Sequence, residues 1–131
     1  MSTPPSPVAA LRPFVPALDF PRSRQFYLDL GFTLEHDSRD LAVLALGAQA
    51  ILLQNFYVEA WADNCVLQLV VDDLDAWWKH IEALDPVTRH GTPAPVPPKR
   101  QPWGMTVAFL FDPSGVLWHV VQRKPADDAR A

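Results

Sequence analysis

Few side chains in this chain of 131 residues are placed to break or make bonds. The histidines, His36, His80, His90 and His119, are scattered, and no pair has metal-ligand spacing. The first three read as solvated surface positions. His119, inside a C-terminal apolar run, reads either as a polar group that hydrogen-bonds a ligand or as a strand histidine with an internal partner. Cys65 is the single cysteine, so no intramolecular disulfide can form, and a small buried apolar role suits it. No Ser or Cys stands in an activating context, and the five glycines include no Gly-x-Gly-x-x-Gly phosphate loop. Asp72, Asp73 and Asp75 form a carboxylate cluster whose plain role is to stabilise the positive end of a helix. What remains is aromatic and amide chemistry. Trp103 precedes Gly104 at the end of a proline-stiffened stretch, and Phe56, Tyr57 and Trp61 share one short connector. Gln68, Gln54 and Glu35 are the polar candidates on strand-like runs. Such groups hold a flat molecule by stacking and hydrogen bonding.

The elements that must position these residues follow from the apolar spacing. Phe14 to Leu18 reads as a short strand, and Pro21 sits in the first turn of a helix that Gly31 ends. Thr33 to His36, Leu41 to Leu46 and Ala50 to Gln54 read as three strands. Cys65 to Val71 is a further strand, and Asp72 and Asp73 open a second helix carrying Leu74, Trp77, Trp78, Ile81 and Leu84. Of Trp77 and Trp78, one is expected in the core. A weak strand is expected near Val87. The run from Thr92 to Pro102 is expected to be an extended surface loop, because its prolines exclude helix and central strand. Met105 to Phe111 and Val116 to Gln122 read as strands joined by the turn Asp112-Pro-Ser-Gly115, with Trp118 facing opposite to His119 and packing under a helix.

The order is strand, helix, three strands, and then the same again. An offset of 54 residues carries Asp19 onto Asp73, Phe20 onto Leu74 and Leu30 onto Leu84. The fold class expected is α+β, two βαβββ modules whose curved mixed sheets enclose a cleft. A single domain over 12–122, with modules 12–54 and 65–122, is expected between a flexible N-terminus (1–11) and a flexible tail (123–131).

Composition narrows the partners. Hydrophobic residues make up 49% and charged residues 20%, which suits a compact globule. The formal charge of −4 argues against nucleic acid and against an anionic membrane surface, and it tolerates or favours a cationic ligand. No targeting segment or membrane-length apolar run is visible, so a cytoplasmic location is expected.

Two segments bring a family into view. Arg12-Pro-Phe-Val-Pro-Ala-Leu-Asp-Phe-Pro-Arg-Ser-Arg-Gln-Phe-Tyr-Leu-Asp-Leu-Gly-Phe32 resembles the first strand and helix of the vicinal oxygen chelate superfamily, which includes glyoxalase I, extradiol dioxygenases and bleomycin-resistance proteins. Gln101-Pro-Trp-Gly104 followed by Asp112-Pro-Ser-Gly-Val-Leu-Trp-His119 is similar to the closing segment of the bleomycin-resistance proteins. The resemblance runs from about Arg12 to Gln122. It implies that Trp103 stacks on a flat heteroaromatic group. It also implies pairing into homodimers, with each cleft completed by the partner chain. The place of Gln68 is held there by a second stacking Trp, so this chain departs from the pattern at that point.

The resemblance also implies where a metal would bind. Metal-using members carry His, Glu or Gln on four inward-facing strands, and those places map here to Arg12, Val66, the run Ala50 to Leu53, and His119. Arg12 is a permanent cation, while Val66 and Ala50 to Leu53 have no donor atoms. One ligand cannot hold a divalent ion, so no metal and no other cofactor is expected. The function expected is sequestration of a flat, neutral or cationic small molecule, such as a bleomycin-type antibiotic. Its expected contacts are Trp103, His119, Gln68, Gln54, Glu35, Phe56 and Trp61, with no catalytic residue. The connector aromatics Phe56 and Trp61 fit either a cleft wall or a dimer contact. Two alternatives stand beside this reading. One is a metal-dependent glyoxalase-like lyase or dioxygenase. The other is an interaction module with a vestigial cleft.

Overall fold

The doubled helix pattern is reproduced residue for residue in the structure, a computed structural model describing residues 2–124. Helix α1 spans Phe20–Leu30 and helix α3 spans Leu74–Leu84, the same length at the same offset. Each starts for the same reason. The Asp19 carboxylate accepts from the Arg22 amide at 3.2 Å, and the Asp73 carboxylate accepts from the Ala76 amide at 3.0 Å. An aspartate at the N-cap satisfies an otherwise orphaned donor and complements the helix dipole. The ends differ: Gly31 closes α1 at φ 124°, whereas Asp85 closes α3 in the left-handed region at φ 49°.

Each helix belongs to a four-stranded mixed sheet. Strands β1 (Phe14–Pro16), β2 (Thr33–Asp37), β3 (Leu41–Leu46) and β4 (Gln49–Gln54) lie in the order β1-β4-β3-β2. Strands β5 (Val66–Val71), β6 (Val96–Arg100), β7 (Thr106–Phe111) and β8 (Leu117–Gln122) lie in the order β5-β8-β7-β6. In both sheets the strand before the helix pairs in parallel with the last strand of its module, and the remaining pairs are antiparallel. This is the α+β, two-module arrangement that the sequence predicts.

Four local expectations are corrected. The segment near Val87 is not a strand but a short helix, α4 (Pro86–His90), started by Pro86 after the left-handed turn at Asp85. The proline-rich stretch contains a strand after all: β6 pairs with β7. Pro97 and Pro98 are accommodated because β6 is an edge strand whose register shifts between Val96 and Lys99. The connector carries a one-turn helix, α2 (Glu59–Asp63), that the aromatic composition hid. Strand β1 also ends at Pro16, two residues early. Residues 2–13 carry no helix or strand, and the expected tail from residue 125 onward lies outside the described residues.

One core joins the modules. Phe26, Tyr27 and Leu30 from α1, Ile81 and Leu84 from α3, and Leu44, Leu53, Leu110, Trp118 and Val120 from the sheets form a single buried cluster. Trp118 does pack under a helix, while Trp77 and Trp78 are both half-buried against the cluster rather than one being fully inside. A buried polar seam crosses it. The Tyr27 hydroxyl donates to Asp112 Oδ2 at 2.6 Å and accepts from Trp118 Nε1 at 3.0 Å. Asp112 Oδ1 accepts from the Ser114 and Val116 amides, and the Ser23 and Ser114 hydroxyls lie 3.1 Å apart. Burial pushes the Asp112 carboxyl up from 3.8 to about 6, against the lowering effect of the Tyr27 hydroxyl and the turn amides. His90 is not a surface residue: it is 6% exposed, 2.9 Å from Asp29, with its ring edge-on to Phe26. Helix α4, in place of the expected strand, brings it there. His80 is exposed as expected, although Nε2 lies 2.7 Å from the Leu30 carbonyl, and His36 is exposed. Cys65 is half-buried against the core.

Candidate ligand-binding site

Strand register sorts each sheet into a face under the helices and a face away from them. On β5, Leu67 and Leu69 pack against the core, whereas Val66 and Val70 are 53% and 50% exposed and Gln68 stands between them. Gln68 is the register partner of His119, and His119 is the register partner of Phe109. Side chains in register share a face, so Gln68, His119 and Phe109 form one row across three strands. The His119 and Phe109 rings meet edge to face, 4.8 Å between centroids and 81° between planes. The neighbouring rows are apolar: Val66, Leu117 and Phe111 on one side, and Val70, Val121 and Val107 on the other.

Trp103 lies beyond the end of this sheet. It sits in the tight turn between β6 and β7, where the Gly104 amide donates to the Gln101 carbonyl at 2.9 Å. Gly104 has φ 94°, a conformation that favours glycine, and this fixes the turn. Trp103 is 57% exposed. From Thr106, at the base of the turn, to the Phe109 row is about 10 Å along the strand.

The other expected contacts fall elsewhere. Gln54 lies on the first sheet, in register with Leu41 and Pro16, on the face away from α1. Phe56 and Trp61 are exposed and touch each other, with ring centroids 6.2 Å apart, and the Phe56 carbonyl accepts from the Ala17 amide. Glu35 is exposed at the bulge in edge strand β2, beside a hollow lined by Ala9 to Arg12, Gln49 and Ala50. The structure therefore brings together Gln68 with His119, and Phe56 with Trp61, within one chain. Among the described residues, no side-chain hydrogen bond or ring contact joins Trp103, Gln54 or Glu35 to either pair. A groove of ≈ 360 Å³ runs along the free edge of β5, between Gln68, Leu69 and Val70 on one side and Pro13, Gln49 and Ala50 on the other. Gln68 thus both lines the groove and heads the row with His119 and Phe109.

Phe109 was not anticipated. The signal was present: a turn at Asp112 to Gly115 sets Phe109 opposite His119 in the hairpin. Carboxylates contribute nothing here, since Asp73 caps α3 and Asp72 pairs with Arg123 at 3.0 Å on the exposed surface.

The donor set does not suit a divalent metal. On the exposed faces, β5 offers Val66 and Val70 around Gln68, β4 offers Ala50 and Leu52 before Gln54, and β8 offers His119. Arg12 precedes β1 and is exposed. Among the described residues, no three His, Cys, Asp or Glu side chains are grouped closely enough to hold a metal ion. Nor is any helix among them long and apolar enough to cross a membrane.

Known proteins match this chain over nearly its whole length. A bleomycin resistance protein from Klebsiella pneumoniae is 29% identical over 119 residues, covering 86% of this chain and 90% of that one. The crystal structure of a bleomycin-binding protein complexed with bleomycin superposes with TM-score 0.77 at 26% identity, covering 89% of this chain and 100% of the other. The lactoylglutathione lyase of Agrobacterium tumefaciens shares the fold at TM-score 0.64 and 20% identity, covering 88% of this chain and 95% of its own. The family profile matches residues 11–120, and the chain belongs to the Glyoxalase/Bleomycin resistance protein/Dioxygenase superfamily.

Proposed function

We propose that this protein is a metal-free binding protein that sequesters a flat, bleomycin-type small molecule, and so confers resistance to it. The observation that carries the reading is the Gln68–His119–Phe109 row, an amide, an imidazole and a phenyl ring set between apolar rows on one sheet face, with Gln68 exposed and His119 and Phe109 half-buried. Such a floor gives a planar ligand apolar area to cover and polar groups to orient it. Trp103, held on a short turn, supplies a stacking surface with little loss of freedom on binding. Two relatives named for bleomycin resistance or binding match at 29% and 26% identity.

The same reading makes the protein a cytoplasmic homodimer. Phe14, Val66 and Val70 leave apolar area uncovered on both sheets, and a second chain would cover it while walling the cleft. Gln54, Glu35, Phe56 and Trp61 would then reach a ligand from the partner's first module.

Titration of EDTA-dialysed protein with metal-free bleomycin tests the proposal through tryptophan fluorescence. Saturable quenching with one ligand per chain is expected, and Trp103→Ala should weaken it at least tenfold. A flat signal up to about 1 mM ligand, where binding energy is only about −4 kcal/mol, overturns it.

A further inference from the structure

The row on the second sheet says more about the ligand than that it is flat. Gln68 and His119 are register partners on parallel strands, so their backbones are about 4.8 Å apart and their side chains leave the same face. Gln122, His80 and His90 each lie within hydrogen-bonding distance of the backbone or a carboxylate. Among the described residues, the side chains of Gln68 and His119 have no hydrogen-bond partner, although their backbones pair in the sheet. Their surroundings on β5, β7 and β8 are Val, Leu and Phe, with no charged residue from these three strands in the three rows; Lys99 stands one strand further out on β6, paired with Val107.

We infer that Gln68 and His119 form a two-point hydrogen-bonding floor for the primary carboxamide of a planar heteroaromatic ligand. The inference rests on the binding role proposed above and names the ligand class of that site. The chemistry is complementary. A glutamine side chain both donates and accepts, and a neutral imidazole does the same with its two ring nitrogens. A carboxamide presents one acceptor and one donor about 2.3 Å apart, close enough for both side chains to converge on it at ordinary hydrogen-bond lengths. When a flat ligand covers the row, the apolar neighbours exclude water, and any polar group left unpaired is penalised. A ligand lacking the donor is therefore rejected, and a carboxylate gains no facing cation from these rows.

The test uses three probes of one shape: quinoline-3-carboxamide, 3-acetylquinoline, which keeps the acceptor but lacks the donor, and quinoline-3-carboxylate. Binding is followed by NMR of the His119 ring and the Gln68 side-chain amide. The carboxamide should shift both signals and bind at least tenfold tighter than the ketone. In Gln68→Leu, a substitution on an exposed strand face, that preference should fall to about twofold at an unchanged Tm. Equal binding of amide and ketone, preference retained in Gln68→Leu, tighter binding of the carboxylate, or no binding at 10 mM each overturns the inference. Bleomycin is titrated separately. Quenching by bleomycin without the amide preference sinks only the floor, whereas the amide preference without bleomycin quenching sinks only the proposed function.

Discussion

Replacing Tyr27 by Phe should destabilise the protein by an amount that depends on pH. Tyr27 is fully buried, and its hydroxyl bridges Asp112 and Trp118. The substitution removes a charge-assisted hydrogen bond to a carboxylate, worth about 1.5–3 kcal/mol, and leaves the buried Trp118 N–H unpaired, costing about 1–3 kcal/mol more. The Asp112 carboxyl lies at about 6 in the folded protein against 3.8 ordinarily, because burial opposes its charge. A raised folded value means that protonation stabilises the fold. That contribution is fully present below about pH 4 and is lost as pH rises through 6, on the order of 3 kcal/mol in all. The Tyr27 hydroxyl pulls this value down, so removing it pushes Asp112 higher still. At pH 8 the variant must bury a less satisfied carboxylate; at pH 5 the group is mostly neutral and the loss is smaller. Guanidinium denaturation should give a loss of about 4 kcal/mol at pH 8 and roughly 2 kcal/mol at pH 5. Equal losses at the two pH values, or a loss below about 1 kcal/mol at pH 8, would mean that the Tyr27 hydroxyl does not hold the buried Asp112 carboxylate.

Three further outcomes are expected. Trp103→Ala should leave Tm within about 2 °C in a thermal scan, since the ring is mostly exposed, while it weakens bleomycin quenching. Asp73→Ala removes the cap on α3 and should cost about 1 kcal/mol, read as a lower denaturation midpoint at unchanged slope. Asp85→Gly should raise stability by about 0.5–1 kcal/mol in the same assay, because Asp85 is, among the described residues, the one non-glycine residue with positive φ and its side chain makes no cap bond.

The helices and most strands were legible because their determinants are local. Asp19 and Asp73 are capping residues in plain view, and the alternation in Val66–Val71 and Leu117–Gln122 fixes which face each side chain takes. The misreadings came where neighbours decide. Val87 looked strand-like, yet Pro86 and the docking of His90 on Asp29 favour a helical turn. Pro97 and Pro98 looked incompatible with pairing, and they are tolerated only because β6 lies at an edge. For the candidate site, single-residue reading singled out Gln68 and His119 but not their adjacency, which depends on a parallel pairing between strands about fifty residues apart. The buried role of Asp112 was equally hidden, since a turn aspartate is ordinarily exposed.

Binding of a planar drug without a metal is the property from which the proposed function follows. Isothermal titration calorimetry of chelator-treated protein against metal-free bleomycin measures it directly. Saturable binding at one ligand per chain is expected, unchanged when Zn, Ni, Mn or Fe is restored. Absence of binding heat and of any competition, or binding that appears only once a stoichiometric metal is restored to the protein, would contradict it.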